Sequence, residues 1–241
     1  MIRLAALVFL LLAAPVRAEL VIQTVTSPGG IRAWLAESRD IPFVALELRF
    51  RGGTSLDPEG REGAVNLMTA LIEEGAGDLD SRGFAAAAED IAASFRFDAG
   101  RDSVSVSARF LTETRAEATA LLRLALVDPR FDPEAVERVR AQVLSGLRQD
   151  ARSPQSIAGR QFAALAFPDH PYGRSETEET VAALSRDDLI AAHRGALARD
   201  RVFVAAAGDI DAETLGALID TLLGSLPETG APLPDRAGAA L

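Results

Sequence analysis

The segment FVALELRF (residues 43–50) runs through the loop RGGTSLDPEGRE (51–62) into GAVNLMTALIEEGAG (63–77). The reading of this strand–loop–helix unit decides the fold. Phe43, Ala45, Glu47 and Arg49 alternate with Val44, Leu46, Leu48 and Phe50. That period of two, with one wholly apolar side, predicts a half-buried strand. The loop is rich in Gly, Pro and Asp and reads as a chain of turns. The apolar run that follows predicts a helix ending at Glu73 and Glu74 and closed by glycines. Asn66 and Thr69 interrupt its apolar body, and their role decides whether the helix carries chemistry.

Towards the N-terminus, LVIQTVTS (20–27) and IRAWLAES (31–38) have strand character and flank the turn signal PGG, which predicts a hairpin. Towards the C-terminus, DSRGFAAAAEDIAAS (80–94) predicts a helix with Ser81 as its cap. Two strands follow, SFRFDAG (94–100) and DSVSVSARFL (102–111), the second alternating apolar residues with serines. Residues 112–128 and 133–150 are long amphipathic helices, and Pro133 suits a first helical turn. A further helix (154–167), the turn DHPYG (169–173) and a helix opened by Ser185 come next. RVFVAAAGDI (201–210) reads as a buried strand, and residues 211–226 as the last helix. Grouped hairpin strands followed by helices predict an α+β fold, a two-layer sandwich of a mainly antiparallel sheet packed against helices.

The first 18 residues, MIRLAALVFLLLAAPVRA, combine a basic start, an apolar middle and a small-x-small end. They read as a secretory leader cut after Ala18, with an uncleaved anchor as the alternative, and imply a periplasmic location. The expected organisation is leader 1–18, one α+β domain 19–226, and a Pro/Gly/Ala-rich linker or tail 227–241. Cleavage would remove Arg3 and Arg17, leaving 23 basic residues against 35 acidic ones and moving the net charge from −10 to −12. Such a balance argues against nucleic acid and against anionic membrane as partners once the leader is gone. There are no cysteines, so no disulfide supports the fold. No Gly-rich phosphate-binding motif and no G-x-S-x-G is present.

Three stretches in the same order resemble the insulinase, or pitrilysin-like, family of zinc metallopeptidases: residues 50–77, residues 143–175 with His-Pro-Tyr-Gly, and residues 183–211 with the closing Gly-Asp. The resemblance implies an insulinase/mitochondrial-processing-peptidase-like domain of the N-terminal type. That family carries His-x-x-Glu-His on a helix, two zinc ligands on one face with a general base beside the second, and a third ligand, Glu, on a later helix. In this chain the first ligand position falls on Asn66, the base on Thr69, the second ligand on Ala70 and the third on Gly146. None of these is a zinc ligand of the usual kind and none is a carboxylate base. The two histidines, His170 and His193, stand 23 positions apart; the first reads as a turn or packing residue, the second as a solvated or capping one.

The resemblance therefore implies a non-catalytic subunit that pairs with a catalytic insulinase-family chain, helps form its peptide-binding chamber and holds no cofactor of its own, the zinc being on the partner. Family members bind unfolded peptide by strand addition. The corresponding edge is Ser94, Phe95, Arg96, Phe97 and Asp98. Family subunits carry two such domains, so a second domain is expected to be absent or supplied by another chain. Two alternatives stand beside this reading: an atypical zinc metalloendopeptidase using other ligands, and a structural or assembly protein of a larger complex.

Overall fold

The computed structural model describes residues 21–239. The leader and its cleavage position lie outside the described residues. Six strands form one sheet: β1 (Gln23–Thr26), β2 (Arg32–Glu37), β3 (Phe43–Arg51), β6 (Ser94–Ala99), β7 (Ser103–Leu111) and β8 (Val202–Gly208), in the spatial order β1-β2-β8-β3-β7-β6. Only β2 and β8 run parallel; every other pairing in the sheet is antiparallel. A two-stranded ladder, β4 (Gly75–Ala76) with β5 (Leu79–Asp80), stands apart. Among the described residues the α-helices are α1 (Ala64–Leu71), α2 (Ser81–Asp90), α3 (Arg115–Val127), α4 (Pro133–Asp150), α5 (Pro154–Ala166), α6 (Glu178–Ala183), α7 (Arg186–Ala196) and α8 (Ala212–Leu223). This is the expected α+β architecture.

The alternation in β3 does what its period implies. Val44, Leu46, Leu48 and Phe50 are buried and join Val104, Val106, Val204 and Ala206 in one core with Leu67, Met68, Leu122 and Leu215 from the helices. The helices thus cover one side of the sheet. Burying four such side chains on one strand contributes on the order of 6–12 kcal/mol before chain entropy is counted. The predicted β1–β2 hairpin forms. However, β8 enters between β2 and β3, a long-range pairing that no local signal announces. That strand is buried on one side only, since Phe203 and Ala207 are exposed, which corrects the reading of residues 201–210 as a buried strand.

Several boundaries also differ. Helix α1 stops at Leu71, so Glu73 and Glu74 lie beyond it; Gly75 opens β4 and Gly77 turns the chain towards β5, and neither closes the helix. Helix α2 is capped by Asp80, whose carboxylate accepts from Gly83 N–H at 2.8 Å; Ser81 is its first residue and donates to Glu74 instead. The six-residue α6 was not foreseen, being too short to display a helical period. Pro133 stands at the start of α4 as expected, and Ser185 caps α7 through a reciprocal pair with Asp188.

Between α2 and β6 the chain turns at Ala92, which has φ 49. An L-residue with a Cβ pays about 1–2 kcal/mol for this left-handed geometry. Ala92→Gly is therefore expected to raise stability by about 0.5–1 kcal/mol after glycine's larger unfolded-state entropy is subtracted. A shift of the urea midpoint to higher concentration at unchanged slope checks this.

Residues beyond α8 form a strap without regular structure. Arg199 and Asp200 donate their N–H groups to the carbonyls of Pro227 and Glu228, and Ala231 N–H donates to Gly195 O. A Cβ on Gly230 would sit 2.5 Å from the guanidinium carbon of buried Arg201, so only glycine passes there. Further on, His170 Nε2 meets Asp235 O at 3.0 Å.

Candidate functional site

Helix α1 begins where Asp57 turns back to meet it. The Asp57 carboxylate accepts from Gly63 N–H at 2.8 Å and Val65 N–H at 2.9 Å, satisfying two donors the first helical turn leaves open. Gly63 has φ 98, a conformation that glycine adopts without cost. Asp57 is 4% exposed. Burial raises its pKa to about 6 against the lowering effect of the two backbone hydrogen bonds, with Glu176 and Glu62 adding like-charge repulsion.

The first ligand position, Asn66, is half-buried, and its Nδ2 lies 3.1 Å from both carboxylate oxygens of Glu176. The amide therefore clasps α1 to the segment before α6, a contact spanning 110 positions. Thr69, at the base position, is 2% exposed and spends its hydroxyl on Val65 O at 2.7 Å. It faces away from water and holds no acidic group. Ala70 is exposed and has no donor atom. Gly146 lies on α4, where an added Cβ would meet no atom within 4 Å. Nothing at these four positions supplies the N, S or carboxylate set that zinc takes. Among the described residues, no group of three or more His, Asp or Glu side chains is placed to hold a metal ion.

Beside the clasp is a cleft of about 420 Å³ between the start of α1, the end of α4, α5 and the segment after the His170 turn. Its charged lining is mixed. Arg174 donates from Nη2 to Asp57 O at 2.9 Å and stands 3.5 Å from Glu62, while Arg101, Arg160, Asp150 and Glu176 also line the cleft. The four carboxylates Asp57, Glu62, Asp150 and Glu176 outnumber the three guanidiniums by one, and no nucleophile–base pair is set up among them.

The histidines are both structural. His170 accepts Tyr172 N–H on Nδ1, caps the short 3-10 turn Pro171–Gly173 and packs edge-on against Tyr172, as a turn residue should. His193 is 7% exposed, which overturns its reading as a solvated residue. Its Nε2 donates to Leu126 O at 2.9 Å, and burial holds its pKa below the usual imidazole value. The sequence signal that could have revealed this is its spacing of four from Leu189 and Leu197, which puts it on the apolar face of α7.

Ser94, Phe95, Arg96, Phe97 and Asp98 all lie on β6, the outermost strand beyond β7. One side of this strand is unpaired, and α1 lies against it. The fold thus brings the motif helix and the free sheet edge together. Asp57 and Glu176, which organise the site, were not among the residues singled out from sequence.

No family model matches the chain. Individual proteins do. It is 26% identical over 194 residues, 80% of its length, to the non-peptidase homolog YmxG of Helicobacter pylori. It is 21% identical over 208 residues, 86% of its length, to the mitochondrial-processing peptidase subunit beta of Blastocladiella emersonii. Among solved structures it is similar to a peptidase M16 inactive domain from Pseudomonas fluorescens, with TM-score 0.83 and 24% identity, covering 91% of this chain and 54% of that one. The chain spans about half the length of the curated relatives it matches, 45% of each of these two. In sequence and fold it is similar to these insulinase-type, M16 proteins.

Proposed function

We propose that the chain is a non-catalytic insulinase-type subunit that pairs with an active zinc peptidase of the same family and forms part of its peptide-binding chamber. One observation carries the reading. All four positions of the zinc site lack ligand and base, while the helix that bears them still lies against the unpaired edge β6. A chamber wall needs the edge, which pairs with any extended peptide through backbone hydrogen bonds, and does not need the metal. The zinc belongs to the partner chain. The second domain of a full chamber half comes from sequence beyond this one or from another chain. The leader, removed after Ala18, places the assembly in the periplasm.

The test is reconstitution. The purified chain alone is expected to carry no stoichiometric zinc and to cleave no peptide. Mixed with a catalytic insulinase-family subunit from the same cell, it should raise the rate of peptide cleavage, and a chelator should abolish that gain. Mixing with no gain in rate sinks the proposal, and stoichiometric zinc in the isolated chain would favour an enzyme using other ligands.

A further inference from the structure

Natural sheet edges are blunted by proline, by lysine, by bulges or by shortness. Strand β6 has no proline and no lysine, and its pairing with β7 is regular throughout. Its two charges, Arg96 and Asp98, are of opposite sign and stand on the exposed side. Among the described residues neither makes an ion pair within the chain. Phe95, Phe97 and Ala99 point to the half-buried side and pack against the core. The backbone shows which groups are free. Gly100 donates its N–H across the hairpin to Ser103 O, so the alternate residues Asp98 and Arg96 also direct their backbone groups to β7. Phe95, Phe97 and Ala99 turn theirs to the outer edge.

We infer that β6 pairs antiparallel with β6 of a second copy, about a two-fold axis at Phe97. In that register Arg96 of each copy stands opposite Asp98 of the other, so the exposed side gains two cross-strand ion pairs. On the half-buried side Phe97 meets Phe97 and Phe95 meets Ala99. A slip of two residues sets Arg96 against Arg96 in one direction and Asp98 against Asp98 in the other. A slip of one turns the phenylalanines to the solvent side. Charge and burial therefore single out one register. The sheet's other edge, β1, is the uncharged QTVT and singles out none. What selects a second copy is this self-complementarity, not the openness of the edge. Gly100 already spends both backbone groups, on Ser103 O and Thr54 N–H, so the ladder is confined to residues 95–99. So short a contact makes a weak, concentration-dependent dimer. It is isologous and closes on itself, so no filament grows from it. A paired β6 is closed to peptide, and association holds the chain in reserve. The inference does not depend on the peptidase reading.

Sedimentation of the purified chain from micromolar to near-millimolar concentration tests this and needs no peptidase. The unsubstituted chain is expected to pass from monomer to dimer. Arg96→Asp and Asp98→Arg should each associate at least about tenfold more weakly, because each sets like charges opposite one another at both ion-pair positions. Mixed in equal amounts, the two single variants should associate with each other about as well as the unsubstituted chain does with itself, since both positions again hold opposite charges. The double exchange Arg96→Asp, Asp98→Arg should restore self-association. Without any variant, exchange of the Phe95, Phe97 and Ala99 amides should slow as the chain is concentrated. A chain that stays monomeric throughout overturns the inference, as does a dimer that neither single substitution weakens. Weakened single variants that neither mixing nor the double exchange rescues overturn it as well. Edge amides protected by an added extended peptide, and not by concentration, overturn it in favour of peptide as the occupant of the edge.

Discussion

Asp57→Ala is expected to destabilise the protein by about 2–4 kcal/mol at neutral pH, because it strips the partner from two backbone N–H groups at the start of α1. Both donors are then buried without an acceptor, and the entry angle of the motif helix is no longer fixed. The offsetting gain is removal of a charge that burial has made unfavourable. That gain can be separated by pH. Asp57 titrates at about 6 in the fold and near the ordinary 3.8 when unfolded. Between those values the native state binds more protons than the unfolded one, so this group's contribution rises as pH falls from about 6 to about 4. Above pH 6 the whole cost of the buried charge is in force. In Asp57→Asn one hydrogen bond survives and titration is lost. The stability of the unsubstituted protein relative to this variant should therefore increase by about 2 kcal/mol on going from pH 7 to pH 4. Urea titrations of both proteins across this range check it; parallel curves would mean that the Asp57 carboxyl is not perturbed.

His193 works in the opposite sense. It is buried in a neutral form, with its pKa lowered by desolvation, so the unfolded chain takes up a proton that the fold resists. Its contribution is present above the unfolded value of 6.5 and is lost as pH falls below it. For this reason the Asp57 effect must be read as a difference between two proteins that share His193.

The second large effect belongs to Arg140. It is 8% exposed, donates from Nη1 to Val181 O and from Nη2 to Leu184 O at 2.9 Å, and reaches Glu137 with Nε at 3.3 Å. A guanidinium here caps the last carbonyls of α6 and attaches that helix to α4. Arg140→Met keeps most of the apolar stem and removes the donors. It is expected to cost about 2–4 kcal/mol, since two buried carbonyls lose charge-assisted partners. Arg140→Lys can reach one carbonyl at a time and should lose about half as much. Chemical denaturation gives both numbers, and amide exchange should show faster opening of residues 178–184 in the Met variant. If the two variants were equally stable, the stem rather than the donors would be what matters.

Those two residues mark where reading along the chain stops short. Alternation in β3 and β7, Pro133 at the start of α4 and the Ser185 cap are visible in sequence because each is a contact between near neighbours. The positions Asn66, Thr69, Ala70 and Gly146 are reached only through the resemblance to the insulinase family, and they lie on two separate helices. What escapes is set by distance along the chain. The entry of β8 between β2 and β3, the Asn66–Glu176 pair and the grip of Arg140 on residues more than 40 positions away depend on tertiary packing. The stop at Leu71 escapes as well: residues 72–74 carry no breaker, and it is the β4–β5 ladder after them that takes the chain out of the helix.

The clasp between Asn66 and Glu176 gives the site a different mechanical character from a metal centre. A structural zinc ion ties its ligands with roughly 10–16 kcal/mol and a fixed geometry. An amide donating to a carboxylate contributes about 1.5–3 kcal/mol and tolerates a range of angles. A rivet has been exchanged for a spring: α1 and the segment before α6 can part and rejoin at thermal cost. The mouth of the cleft that Glu176 lines is therefore compliant where a metallated one would be stiff.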